Sequence, residues 1–175
     1  MNTLNKILIV MFILCFGVAA FAVEANEMNS SPNYLIILVH GIASDFKAFE
    51  GAGNLKDYLE ESLKLDGYVY SYSFDKANQS NEHHAEELGD RSLSNCWLKQ
   101  AKYDFHKKFP NKPIPNKYVL IAHSMGGLAS RVYITSNFYH DNVKKLITLD
   151  TPHLGADGIA WYKKWEKGMG LGVRG

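Results

Sequence analysis

Residues 118–133 constrain this chain more than any other stretch. Tyr118 to Ala122 is a short apolar run of the kind that fills a buried parallel strand. Met125, Leu128, Ala129, Val132 and Tyr133 then recur at helical spacing. Ser124 stands where one period gives way to the other, with Ala122 two residues before it and Gly126 two after. A strand that turns directly into a helix at such a serine is a nucleophile elbow, led here by His123. The turn lifts the hydroxyl clear of the backbone and sets it at a helix N-terminus, where N–H groups favour developing negative charge. A serine hydroxyl also needs a base to take its proton. The usual elbow has glycine at both flanking positions, so Ala122 is a mild departure.

Two further apolar runs end in turns. Tyr-Leu-Ile-Ile-Leu-Val-His-Gly-Ile occupies 34–42, where Gly41 is read as the residue that allows a tight turn. Leu-Ile-Thr-Leu-Asp-Thr-Pro-His-Leu-Gly occupies 146–155, a strand ended by Pro152.

His-Gly-Ile at 40–42, His-Ser-Met-Gly-Gly at 123–127 and Thr-Pro-His-Leu-Gly at 151–155, in this order, resemble the lipase and esterase branch of the α/β-hydrolase superfamily. The motifs resemble those of bacterial lipases and of the deacylase domain related to GPI inositol-deacylases, over roughly residues 34–168. The resemblance implies ester hydrolysis through an acyl-enzyme, often on lipid substrates at a membrane surface, without a cofactor. It implies that Ser124 is the nucleophile. The backbone N–H groups of Ile42 and Met125 would form the oxyanion hole. Loss of one such donor costs about 3–4 kcal/mol of transition-state stabilisation. His40, lying in the oxyanion loop ahead of the serine, is read as structural.

Triad partners in this superfamily follow in the order Ser, acid, His. Asp150, at the end of the third apolar run, is a tentative acid; the alternative is an aspartate that caps the following turn. No base is identified. His153 belongs to the Thr-Pro-His motif, whose histidine is not the base in these families, and His140 lies in a polar connection. The last strand–helix units of the superfamily have no counterpart before Gly175, so a C-terminally truncated domain is expected, with the 143–150 strand as an exposed edge and a complementing chain as one way to complete it.

Residues 1–22 read as a secretory signal peptide: Lys6, an apolar run from Ile7, and Ala20-Phe21-Ala22 as the cleavage pattern. The chain is thus expected to be exported to the periplasm or outside the cell, with an uncleaved membrane anchor as the alternative. Residues 23–33 form a polar linker and 169–175 a flexible glycine-rich tail. The 19 Lys and Arg balance 18 Asp and Glu, which gives no concentrated basic face for nucleic acid. Cys96, the one cysteine past the signal, is expected to be buried beside Trp97. No CxxC or HExxH pattern suggests a metal site.

Asn54 is expected to cap a helix carrying Leu55, Tyr58, Leu59 and Leu63 on one stripe. Tyr68 to Phe74 reads as the second strand. Residues 75–95, including His83, His84, Glu86 and Glu87, read as a solvated loop or short helix. Trp97, Ala101 and Phe105 mark the next helix, ended by Pro110. Asp141 is a turn residue, and Asp157 caps a last helix near 157–167. The expected fold is α/β: a three-layer α/β/α sandwich on a mainly parallel sheet, a partial α/β-hydrolase fold with strands in the spatial order second, first, third, fourth. The function expected is that of a serine ester hydrolase. The alternative is a non-catalytic protein on the same scaffold that binds a lipid or a partner chain; an acyltransferase or thioesterase would use the same elbow.

Overall fold

Tyr34–Val39 forms strand β1, and every residue from Leu35 to Val39 is completely buried. A five-residue run without a polar side chain can satisfy both faces of a strand only inside a covered sheet. The structure is a computed structural model that describes residues 32–42, 44–50, 54–75 and 79–155. The signal peptide, most of the linker, the last helix with Asp157, and the tail lie outside these residues.

Three more strands join β1: β2 (Val69–Ser71), β3 (Lys117–His123) and β4 (Val143–Leu149). All pair in parallel, in the spatial order β2-β1-β3-β4, as expected. β2 is shorter than the sequence suggests: Tyr72 to Phe74 continue beyond the ladder. β3 is buried from Tyr118 to Ala122, whereas β4 is only partly buried along its length.

The first helical segment, α1, is α-helical over Leu55–Asp57 and π-helical over Tyr58–Ser62. Asn54 stands at its N-cap position, but its side-chain amide donates back to the Glu50 carbonyl instead of accepting from the helix. The wider π turn breaks the expected stripe, so Leu59 is buried while Tyr58 is exposed. Helices α2 (Asn81–Gly89), α3 (Trp97–Lys108) and α4 (Met125–Thr135) follow. Right-handed crossovers place α1 on one face of the sheet and α2, α3 and α4 on the other. Contacts of α2 with both α3 and α4 agree with this.

Of the reading of residues 75–95 as a solvated loop or short helix, the short helix holds over Asn81–Gly89 and its solvation is corrected. Ser80 caps α2 through the His83 N–H, and His84, Ala85, Glu87 and Leu88 are all buried. Two polar side chains can enter a core when they satisfy one another. His84 Nδ1 lies 3.3 Å from Glu87 Oε2, while its Nε2 is buried with no hydrogen-bond partner among the described residues. Cys96 is buried as expected, and burial pushes its thiol up, which makes it unreactive.

Candidate active site

β3 delivers Ser124 to the carboxyl edge of the sheet, and α4 begins at the next residue. Ser124 takes φ 52° and ψ −122°, a conformation that costs a side-chain-bearing residue about 1–3 kcal/mol. Two hydrogen bonds hold it there. Its N–H donates to Leu149 O at 2.9 Å, and its carbonyl accepts from the Gly127 N–H at 3.1 Å. At the first position of α4, Met125 has no helical partner for its N–H, and that group reaches no acceptor among the described residues. The same holds for the N–H of Ile42, which is itself exposed. Ser124 thus stands between two segments that each carry an open backbone donor.

Glycines bring these segments together. A Cβ on Gly126 would lie 2.4 Å from His40 O and 2.6 Å from Val39 O, both backbone atoms. One on Gly41 would lie 2.9 Å from Ser124 Cβ and 3.2 Å from His123 Nδ1. Gly41 is therefore required for close approach to the elbow. Its φ is not positive, so it is this close approach, and not a left-handed backbone, that excludes a side chain here. Ala122 is fully buried within β3, where its methyl group is accommodated, and His123 at the strand end is exposed.

His40 is buried between aromatic rings, 4.9 Å from Phe74 and 5.9 Å from Trp97 between centroids. Its Nδ1 lies 2.8 Å from Gly41 O, and its Nε2 lies 3.3 Å from the Phe74 N–H. The carbonyl can only accept and the amide can only donate, so Nδ1 carries the proton and Nε2 accepts. The ring is neutral and both nitrogens are occupied. Burial, the largest influence, also pushes its pKa below the ordinary histidine value.

The other titratable candidates are placed as follows. Asp150 ends β4 beside the elbow strand, exposed, with φ 50°. His153 is exposed, with Nδ1 2.9 Å from an Arg131 guanidinium nitrogen and Nε2 3.1 Å from Thr148 Oγ1. Arginine only donates, so His153 accepts at Nδ1 and donates from Nε2; neither nitrogen is open to the serine. His140 precedes β4 and so lies at the amino edge of the sheet, about 20 Å of strand from the elbow. Thr151 packs under the first turn of α4, its Oγ1 2.0 Å from where a Gly127 Cβ would stand.

The fold and the three motifs together can be set against known proteins. A family profile described as the PGAP1-like alpha/beta domain matches residues 30–159, a span that includes all four strands and all three motifs. The chain belongs to this family. Its relatives include GPI inositol-deacylases, which makes it an ester-hydrolase family, and its fold is that of the α/β-hydrolases. Over 131 residues the chain is 38% identical to the GPI inositol-deacylase of Kluyveromyces lactis, covering 74% of this chain and 10% of that protein. Over 139 residues it is 28% identical to GPI inositol-deacylase B of Yarrowia lipolytica, covering 68% and 13%. The chain thus spans only 10% and 13% of the length of these two relatives. Among solved structures, the mature form of Bacillus licheniformis lipase BlEst2 superposes with a TM-score of 0.52 at 19% identity, covering 79% of this chain and 49% of that one. This likeness is one of fold.

Proposed function

We propose that this PGAP1-like domain is a serine ester hydrolase that acts through an acyl-enzyme on carboxylic esters of lipids. Ser124 attacks the acyl carbonyl. The N–H groups of Ile42 and Met125 receive the oxyanion, and Asp150 is the acid that orients a histidine. The reading rests above all on Ser124: a strained serine between a strand and a helix, flanked by two open backbone donors. Strain of this kind persists where the surrounding structure imposes it, commonly at reacting groups. The GPI inositol-deacylase relatives make a lipid ester the favoured substrate class. The apolar segment at 7–22 supports export of the chain.

All seven histidines of the sequence fall within the described residues. His40 and His153 have both ring nitrogens engaged, His84 is fully buried beside Glu87, and His140 lies at the far edge of the sheet. None of these four serves Ser124, so the base is assigned to none of them. Without a base, an oxyanion hole and bound substrate still retain about 10³–10⁴-fold catalysis over water. Hydrolysis of p-nitrophenyl butyrate by residues 23–175, beside Ser124→Ala, tests the reading. A slow rate that disappears in the variant and is raised by added imidazole only in the wild type is expected. Equal rates in the two proteins would remove Ser124 from the chemistry and leave the scaffold as a binding module.

A further inference from the structure

The buried carboxylate of Glu87 is linked to the oxyanion loop through four hydrogen-bonding groups. Its Oε1 accepts from the Asp75 N–H at 3.0 Å and from Asn95 Nδ2 at 3.3 Å. Asn95 Nδ2 also lies 2.9 Å from Asp75 Oδ2, so the same amide ties both ends of the contact. The preceding N–H, that of Phe74, donates to His40 Nε2. Residues 74 and 75 are thus held by two successive N–H groups, one on His40 and one on Glu87. These two residues continue β2 beyond its ladder, where no neighbouring strand fixes the chain. The Phe74 ring is held as well, 4.3 Å from Trp97 and 4.1 Å from His84 between centroids.

His40 passes this constraint onward. Its Nδ1–H donates to Gly41 O. In a planar trans peptide the Gly41 carbonyl and the Ile42 N–H point in opposite directions. Fixing the carbonyl from behind therefore aims the Ile42 N–H away from the core. A donor is useful only when it meets the place where charge develops, and reacting groups about 1 Å out of position lose about 100-fold in rate.

We propose that Glu87 is a positioning residue for the Ile42 oxyanion donor, acting through Asp75, Phe74, His40 and the Gly41 carbonyl. This rests on the reading of Ser124 as nucleophile. A carboxylate needed only to satisfy His84 inside the core would have no such effect.

The test compares Glu87→Ala, Glu87→Asp and Glu87→Gln. Glutamine keeps an acceptor for the Asp75 N–H, aspartate withdraws the carboxylate by one methylene, and alanine removes it. In 15N-labelled protein, the alanine and aspartate variants are expected to shift the Ile42 amide resonance and to speed hydrogen exchange at Phe74 and Asp75. The β3 amides keep their protection, and Glu87→Gln resembles the wild type. In the same variants the Ser124-dependent rate at saturating ester is expected to fall about tenfold with KM little changed, part of the effect of losing a donor outright, with Glu87→Gln restoring it. Unmoved Ile42 and His40 resonances in Glu87→Asp would overturn the proposal. So would an unchanged Ser124-dependent rate beside altered resonances. If the wild type shows no Ser124-dependent rate, the nucleophile reading fails by itself, and the resonance comparison still decides whether Glu87 sets the loop. Should Glu87→Ala not fold, Glu87→Asp and Asn95→Ala carry the same comparison.

Discussion

Replacing Gly126 by alanine puts a methyl group 2.4 Å from the His40 carbonyl oxygen and 2.6 Å from that of Val39. Neither oxygen can rotate aside, because both belong to the backbone at the end of β1. An ordinary contact begins near 3.4 Å, which requires a separation greater by about 1.0 Å. The start of α4 must therefore move away from the oxyanion loop by nearly that much. Overpacking of this kind costs about 1–3 kcal/mol, which for a domain of this size lowers Tm by about 3–10 °C. The same shift separates the Met125 and Ile42 donors, and a misplacement near 1 Å costs about 100-fold in rate. The assay is Ser124-dependent p-nitrophenyl butyrate hydrolysis at a temperature where circular dichroism shows both proteins folded. A large loss of rate with a modest loss of Tm is expected. A Gly126→Ala protein with wild-type rate and Tm would refute the close approach of loop and elbow.

Further outcomes follow from the same contacts. Ser124→Gly removes the nucleophile and relieves the backbone at φ 52°; it is expected to lose all ester hydrolysis yet gain about 1 kcal/mol of stability after glycine's own entropy cost, and a lowered Tm would contradict the strain. His40 is held neutral and its pKa is depressed in the folded state, so the unfolded chain binds more protons in acid. Its contribution to stability is complete above about pH 6.5 and is lost as pH falls from there through the folded value. Urea midpoints measured from pH 8 to 5 should fall more steeply for the wild type than for His40→Gln, and parallel curves would contradict this. His153→Ala should change the Ser124-dependent rate less than about threefold, because both ring nitrogens are already engaged by Arg131 and Thr148; a loss of several hundredfold would make His153 the base.

The strands were legible because a buried parallel strand needs an unbroken apolar run, and β1 and β3 both have one; their order came from the likeness of the three motifs to α/β-hydrolases. The same rule misjudged the second strand, whose alternating Tyr-Ser pattern carries on past the last ladder bond at Ser71. The close packing of Gly41 was not legible for a different reason. Its neighbour across space is Ser124, 83 positions away in sequence, and nothing local reveals that contact. His84 and Glu87 were hidden by their polarity. Each would be costly to bury alone, and only their pairing and the Asp75 N–H make burial affordable. Their neighbours Ala85 and Leu88, one helical turn after Asn81 and His84 respectively, were the available trace of a buried face. The base was not found by pattern because no histidine of the sequence follows the acid in a free position.

The central claim is that Ser124 forms an acyl-enzyme, and peptide-mapped mass spectrometry tests it most directly. Residues 23–175 are incubated with p-nitrophenyl butyrate at mildly alkaline pH, quenched in acid and digested. Without a resident base, deacylation is slow, so the peptide holding Ser124 is expected to carry a butyryl group that is absent from Ser124→Ala and much reduced in Gly126→Ala. A folded wild-type protein whose butyryl groups lie only on lysines, at equal levels in all three proteins, would contradict the account.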